Sequence, residues 1–236
     1  MSGTRIGILY PSDGVLDGEL WSFAPPDVSL HFTRIRFPEH PVTLEFVVSL
    51  VEDPDIRHGA ANLRQIQPAV VAYACTCVSF ARGPRGDRPI IEAIEDAAGA
   101  PATTTSTALA AACHSLRLRR VALAAPYVAE ITERLRAFLK DTGVDAVSVK
   151  TLGLLGGVAR VSAGEVIELV RSVDSDAAEG IVVANTNLST LRAVTALERE
   201  LGKPVVTANQ ATIWHACRLA GVAWTWAGCA LAAPQL

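Results

Sequence analysis

The chain lacks an excess of charge of either sign. Its 236 residues include 21 lysines and arginines and 24 aspartates and glutamates, which gives a formal net charge of −3 at pH 7. A nucleic-acid-binding surface or an electrostatic membrane anchor would need a basic excess. We therefore expect neither nucleic acid nor a membrane as a partner, and a small molecule as the substrate.

Long apolar runs and targeting signals are missing as well. No stretch approaches the ~20 apolar residues of a membrane-spanning helix. The apolar run within residues 1–11 is too short for the core of a signal peptide. Half of the residues are hydrophobic, which suffices for a full core. These features predict a soluble, globular, cytoplasmic protein.

Common cofactor and metal motifs are also absent from the sequence. There is no G-x-G-x-x-G pattern and no P-loop, and the glycine-rich stretch 153–157 lacks the spacing and the lysine that bind phosphate. The cysteines and histidines form no C-x-x-C or H-x-x-x-H pair, so we expect no metal ion. Five cysteines without framework spacing predict reduced thiols.

What the chain does contain is one pattern that occurs twice. Residues 74–79 match residues 184–189, residues 99–104 match residues 202–207, and the segment around Pro11 matches that around Pro126. Three matches in the same order indicate an internal duplication of roughly a hundred residues. At the matched position the first copy has Cys75 and the second has Asn185, so two halves packed face to face place these residues opposite each other.

Short runs of Ile, Val and Ala alternate with longer amphipathic stretches, which is typical of βα units around parallel sheets. This alternation predicts strands at 5–10, 30–35, 69–74, 102–104, 120–125, 146–152, 180–184 and 204–207. It predicts helices at 43–51, 59–66, 89–97, 106–115, 128–142, 162–172, 189–201 and 210–219.

The fold class is therefore α/β, with two pseudo-symmetric Rossmann-like lobes that hold parallel sheets and face a common cleft. We assign residues 1–115 and 210–236 to the first lobe and residues 116–209 to the second. The helix at 210–219 is expected to cross back to the first lobe, because it is the counterpart of the helix at 106–115.

Polar residues follow four of the predicted strands. Ligands of parallel sheets bind beyond the carboxyl ends of the strands, so we expect these residues to line one cleft. They are Pro11, Ser12, Cys75, Thr76, Cys77, Tyr127, Asn185, Thr186 and Asn187.

Cys75 is the candidate nucleophile or acid of this cleft. A cysteine thiol titrates near ~8.5, and backbone amides at a turn can lower that value. The polar side chains of Thr76, Thr186 and Asn187, with backbone amides, would cradle a carboxylate or an enediolate. The alternative is that Cys75 is a buried cysteine at the end of a strand. On an extended strand, Cys77 would point to the same side as Cys75.

His215 is a further candidate acid, because histidine titrates near neutral pH. A lone histidine in a helix is more often a packed, hydrogen-bonded residue.

On these residues the chain resembles the aspartate/glutamate racemase superfamily, in particular the branch that holds arylmalonate decarboxylase and maleate cis-trans isomerase. The resemblance implies cofactor-independent chemistry at the carbon next to a carboxylate of a small dicarboxylic acid. It also implies roles for single residues. Cys75 and Asn185 fall on the cysteines of the two lobes, Tyr127 on a carboxylate-binding tyrosine, and Thr76 and Cys77 on the pair of the dioxyanion hole.

The chain departs from both enzymes at defined positions. Maleate isomerases carry both cysteines and a Pro-Ser-Ser-Asn motif, where this chain has Pro-Ser-Asp-Gly at 11–14. Arylmalonate decarboxylase has glycine at the first cysteine position and its cysteine at the second. In this chain the order is reversed: the cysteine, Cys75, stands at the first position, and Asn185 stands at the second.

A single thiol limits the possible reactions. Two-base racemisation is disfavoured because Asn185 cannot titrate. Decarboxylation needs one acid, and cis-trans isomerisation needs one nucleophile. We favour a decarboxylase of malonate-type diacids, with a maleate isomerase-like enzyme as the alternative. An Asp/Glu-type racemase and a non-catalytic carboxylate-binding protein are further alternatives, and the sequence indicates no particular oligomeric state.

Overall fold

Eight strands form the frame of the molecule in the computed structural model, which describes residues 3–232. The first four are β1 (Thr4–Pro11), β2 (Val28–Ile35), β3 (Val70–Tyr73) and β4 (Ala102–Thr104). The second four are β5 (Arg120–Tyr127), β6 (Asp145–Leu154), β7 (Gly180–Val183) and β8 (Val205–Thr207). They form two four-stranded sheets with the orders β2-β1-β3-β4 and β6-β5-β7-β8, and all strand pairs are parallel. The predicted α/β fold with two pseudo-symmetric parallel sheets is thereby confirmed.

Ten α-helices accompany the strands within the described residues, and none of them has the length and apolar character needed to cross a membrane. They are α1 (Asp17–Phe23), α2 (Leu44–Ser49), α3 (Pro54–Leu63), α4 (Thr76–Phe80), α5 (Arg88–Ala98), α6 (Thr105–Ser115), α7 (Ala129–Asp141), α8 (Ala163–Val173), α9 (Val194–Leu201) and α10 (Ala208–Leu219).

Each predicted strand is present, whereas four helical features differ from the prediction. Helix α3 spans Pro54–Leu63 rather than residues 59–66. The short helices α1 and α4 were not predicted, and α9 begins at Val194 rather than at residue 189. Both short helices have fewer than eight residues, too few for a clear helical period of apolar side chains. Residues 189–191, which were predicted to be helical, precede α9 and are bound to Glu19 of α1.

The central strands are buried on both faces because helices cover both sides of each sheet. Ile6, Ile8 and Leu9 of β1 have no exposed surface, and β3 and β7 are buried along their whole length. Full burial of such a side chain contributes about 1.5–3 kcal/mol to stability. The edge strand β6 is much less buried: of its ten residues only Ala146 is buried, as expected for a strand with one neighbour.

The two sheets repeat each other in detail at the segments that match in sequence. Helices α5 and α9 both end at a glycine with positive φ, Gly99 at 67° and Gly202 at 64°, a conformation that suits glycine at a helix end. In each copy a glutamate of that helix accepts a hydrogen bond from the next strand. Glu95 accepts from the Ala102 amide at 3.1 Å, and Glu198 accepts from the Val205 amide at 2.9 Å.

Helix α10 packs against α1, α6 and β3 and also contacts β8. Its contact with α6 includes a buried hydrogen bond of 2.9 Å between the Thr105 and Thr212 hydroxyls. This packing brings the last helix of the second copy against the first sheet. The division of the chain into 1–115 with 210–236 and 116–209 stays a prediction.

His215 of α10 lies at this contact, where its Nδ1 is 2.8 Å from the Thr103 hydroxyl. Burial, with a smaller effect from Arg218, lowers the pKa of His215 to about 4. The imidazole is therefore neutral at pH 7.

We expect acid to destabilise the fold through His215. Between pH 4 and the ordinary histidine pKa of about 6.5, the unfolded chain binds a proton that the folded chain does not, so the free energy of unfolding falls as the pH falls. In urea titrations the loss between pH 7 and pH 4.5 should be about 1–3 kcal/mol smaller in His215→Gln than in the parent. The exposed His58 provides the control variant His58→Gln, which should follow the parent. Parallel pH profiles of His215→Gln and the parent would contradict this assignment.

Candidate active site

A cavity with about 500 Å³ of empty volume, part of it open to solvent, lies between the carboxyl ends of the two sheets. Its lining includes all but one of the residues expected in the cleft, namely Pro11, Cys75, Thr76, Cys77, Tyr127, Asn185, Thr186 and Asn187. Ser12 lies in the adjoining outer cavity, where its hydroxyl accepts a hydrogen bond of 3.0 Å from the Phe37 amide. Strand ends from both lobes therefore meet at one site, in agreement with the sequence argument.

Cys75 lies at the point where β3 passes into α4. The sequence interpretation took residues 75–77 as extended chain, but Cys75 is the N-cap residue of α4 and Thr76 and Cys77 belong to its first turn. The extended conformation of Cys75 itself, with φ −139° and ψ 106°, still leaves the two thiols close together. The sulfur atoms of Cys75 and Cys77 are 4.0 Å apart, within reach of an S–H···S hydrogen bond.

The two thiols differ in their protonation. The hydrogen bond with Cys75 and burial raise the pKa of Cys77 well above the usual value. Cys77 therefore keeps its proton and is the donor of the pair when Cys75 is a thiolate.

Two hydroxyl groups of the cavity wall are buried without a protein partner. Within the described residues, neither Thr76 Oγ1 nor Tyr127 Oη has a contact that meets the geometry of a hydrogen bond, although Thr76 and Asn185 lie close enough to Tyr127 to act on its pKa. Burial raises the pKa of Tyr127 well above its usual value, so its phenol stays protonated and can donate. A buried polar group without a partner costs about 1–3 kcal/mol. Both residues line the cavity, so a ligand with oxygen acceptors that binds against them would satisfy these hydroxyls.

Asn185 follows β7 at the position that matches Cys75, but its backbone differs. Its φ of 109° lies in the region that favours glycine, and Asn is among the residues that tolerate it best. The Asn185 side-chain oxygen accepts a hydrogen bond of 2.6 Å from the Asn187 amide, which closes a tight turn. The second copy thus forms a turn where the first copy begins a helix.

Thr186 and Asn187 join the two lobes. The Thr186 hydroxyl donates to the carbonyl oxygen of Ala74, next to Cys75, at 3.3 Å. The Asn187 side chain accepts from the Val15 amide at 3.1 Å and donates to the Asp13 carbonyl at 3.2 Å. Both side chains were expected to hold an anion, yet in the structure their polar atoms bind the first lobe.

Apolar residues form a wall of the cavity that the sequence argument missed. Phe37 and Val42 come from the loop after β2, and Leu154 and Val158 come from the end of β6 and the glycine-rich loop that follows it. The Val42 amide donates to the Leu155 carbonyl at 2.7 Å, which joins these two loops. The loops follow strand ends, so the rule that identified Cys75 and Asn185 also applied to them.

Asp13 also lines the cavity, and burial raises its pKa. Within residues 3–232, no group of three or more His, Cys, Asp or Glu side chains is arranged to hold a metal ion.

We expect Asn185→Gly to be more stable than Asn185→Ala, although glycine usually destabilises a chain relative to alanine. Both variants lose the side-chain hydrogen bond to the Asn187 amide, but only alanine keeps a Cβ atom at a φ of 109°. The difference in the free energy of unfolding, measured with urea, should be about 1 kcal/mol in favour of glycine. If alanine is equally or more stable, the backbone of Asn185 is not strained.

The chain was compared with protein families and with curated proteins. A family model described as arylmalonate decarboxylase matches residues 24–230. The arylmalonate decarboxylase of Bordetella bronchiseptica is 37% identical over 218 residues, which cover 89% of this chain and 91% of that protein. A maleate isomerase of Pseudomonas putida is 26% identical over 226 residues and 89% of both chains.

Solved structures show the same similarity. A mutant of arylmalonate decarboxylase in its liganded form, in which a cysteine replaces a glycine and a serine replaces a cysteine, has a TM-score of 0.86 and 31% identity. The match covers 97% of this chain and 98% of that chain. Maleate isomerase from Pseudomonas putida S16 with maleate has a TM-score of 0.89, covers 97% of both chains and, at 24% identity, shows the fold alone.

Proposed function

The chain belongs to the arylmalonate decarboxylase family, and we propose that it removes carbon dioxide from a malonate-type diacid with Cys75 as the proton donor. Its relatives are a decarboxylase and isomerases, so the chain is an enzyme of the lyase or the isomerase class. The choice between these reactions depends on the residues of the cavity.

The observation that carries the proposal is the pair of buried hydroxyls without a partner. Thr76 Oγ1 and Tyr127 Oη can donate to the carboxylate that remains on the substrate. When the other carboxylate leaves as carbon dioxide, the electron pair of the broken carbon–carbon bond moves into this group and forms an enediolate. Its oxygens carry more charge than those of a carboxylate, so fixed donors stabilise the transition state more than the ground state.

The proton balance of this reaction needs one acid. Cys75 donates its S–H proton to the α-carbon of the enediolate and becomes a thiolate. The Cys77 thiol, 4.0 Å away and held in its protonated form, donates a hydrogen bond to that thiolate. Water then returns a proton to Cys75, so the cycle consumes one proton and releases carbon dioxide. No second base is required, which agrees with Asn185 at the matched position of the second lobe.

The apolar wall supports a substituted malonate as the substrate. Phe37, Val42, Leu154 and Val158 offer a surface for an apolar substituent on the α-carbon. A carboxylate placed against such a surface loses hydration, which favours its departure as neutral carbon dioxide. Maleate has no apolar substituent to occupy this wall.

Isomerisation of a maleate-like diacid is the second candidate. The Cys75 thiolate would add to the double bond, the new single bond would rotate, and the thiolate would leave again. The hydrogen bond from Cys77 favours this reaction as well, because it stabilises a thiolate at Cys75. Maleate isomerases among the relatives support this candidate.

We expect phenylmalonate to lose one carboxylate and to gain one deuteron at the α-carbon in deuterium oxide, as followed by proton NMR. Cys75→Ala should lower this rate by about 10²–10⁴-fold, the usual contribution of a general acid. Cys77→Ala, the neighbouring variant, keeps the proton donor and loses only the hydrogen bond to its thiolate, so it should lower the rate much less than Cys75→Ala. Conversion of maleate to fumarate without loss of a carboxylate would establish the isomerase instead. Equal rates of Cys75→Ala and the parent would contradict both proposed reactions, since both depend on Cys75.

Tyr127→Phe should lower the activity of the protein without lowering its stability. Loss of the donor should lower kcat by about 10²–10³-fold. Because the hydroxyl is buried without a partner, its removal should leave the free energy of unfolding unchanged or raise it by about 1 kcal/mol. Steady-state kinetics and urea unfolding measure the two effects. A variant that is fully active, or clearly less stable, would show that the hydroxyl is not reserved for a ligand.

A further inference from the structure

Glu19 is a buried carboxylate outside the cavity lining. It belongs to α1 in the first lobe and is 6% exposed. Its partners are in the second half of the chain. One oxygen accepts from the Thr190 hydroxyl at 2.8 Å and from the Asn209 side-chain amide at 3.0 Å. The other accepts from the Thr190 amide at 3.0 Å, the Leu191 amide at 3.2 Å and the Ser189 hydroxyl at 3.3 Å.

All of these donors are neutral amides or hydroxyls. A buried carboxylate is costly unless it receives several hydrogen bonds, and Glu19 receives them almost entirely from one short segment, residues 189–191. The interaction therefore fixes that segment relative to α1.

A second path leads from Glu19 directly to the turn in the cavity. The Asn209 side-chain amide donates both to Glu19 and to the Thr186 carbonyl, at 3.0 and 3.1 Å. The Tyr10 hydroxyl donates to the same carbonyl at 3.3 Å. The peptide group between Thr186 and Asn187, next to Asn185, is thus held in one orientation through groups that do not themselves line the cavity.

We propose that Glu19 is a positioning residue that holds Asn185 in its catalytic orientation from the opposite lobe. Two connections link the turn at Asn185 to Glu19. The Thr186 carbonyl is bound to Glu19 through the Asn209 side chain, and residues 189–191 bind Glu19 directly. Asn185 has a φ of 109°, which the free chain would populate little, so the surrounding contacts must maintain it. This inference rests on the proposed function and adds to it one role: the side-chain NH2 group of Asn185, whose oxygen is bound by the Asn187 amide, donates to the enediolate.

Loss of the Glu19 interaction should affect kcat more than KM. The unpartnered hydroxyls of Thr76 and Tyr127 hold the substrate carboxylate in the ground state, and neither contacts Glu19. Asn185 contributes when charge develops on the enediolate, so its misplacement destabilises the transition state more than the bound substrate. Displacement of a catalytic group by about 1 Å can cost about 100-fold in rate.

The test is Glu19→Gln, which keeps the shape of the side chain but replaces one acceptor oxygen with a donor. The matched control is Glu198→Gln, since Glu198 also accepts backbone hydrogen bonds, from Val205 and Ala230, but does not line the cavity. With phenylmalonate we expect Glu19→Gln to lower kcat about 10- to 100-fold with KM within about 3-fold of the parent. Glu198→Gln should keep the parent kcat. Parent-like kcat in Glu19→Gln would overturn the proposal, as would a proportional change of KM.

Amide hydrogen exchange provides a readout that needs no turnover. The backbone amides of residues 185–191 should exchange faster in Glu19→Gln than in the parent. In Glu198→Gln they should exchange at the parent rate. If the parent turns over no diacid, the proposed function fails, and the exchange data alone decide whether Glu19 holds this loop. Unchanged exchange in Glu19→Gln would then refute the inference.

Two further variants complete the test. Asn209→Ala should show the same kcat effect as Glu19→Gln, and the double variant should lose less than the product of the two single losses, because both act on the Thr186 carbonyl. Fully multiplicative losses would contradict the path through Asn209. If Glu19→Gln does not fold, Thr190→Val removes one donor to the carboxylate and should show a smaller change of the same kind, whereas parent-like kcat would overturn the proposal.

Discussion

The ends of strands β3 and β7 are bound to each other across the boundary between the sheets. The hydroxyl of Thr186, the residue after Asn185, donates a hydrogen bond to the carbonyl oxygen of Ala74, the residue before Cys75. This contact fixes the distance between the two matched positions, and with it the dimensions of the cavity. Asn187 extends the contact to the loop after β1, so three strand ends are held in one arrangement.

The duplicated frame supports two different local structures at the matched position. In the first copy the chain turns into α4, and its residues offer a thiol and a free hydroxyl to the cavity. In the second copy the chain forms a tight turn at Asn185, and its polar side chains bind the other lobe. One copy therefore supplies reactive groups and the other supplies the surface against which they act.

Much of this arrangement could be predicted from local sequence. Strands such as Gly180–Val183 are uninterrupted apolar runs, and the matched segments placed Cys75 and Asn185 at one cleft. The parts that could not be predicted depend on partners distant in sequence. Residues 189–193 look helical, but they precede α9, and Glu19 binds the Thr190 amide from 171 positions away. Likewise, Thr186 and Asn187 have the composition of an anion site, and only the fold shows that Ala74 and Val15 occupy their polar atoms.

The packing of α10 has a consequence for how the molecule could be divided. The helix follows the last strand of the second sheet, yet it lies against α1, α6 and β3 of the first. A fragment that ended near Ser115 would leave these surfaces bare, and the complementary fragment would carry an apolar helix with no sheet to cover. Each half repeats the architecture of the other, but because α10 packs on the first sheet, we expect neither half to fold on its own.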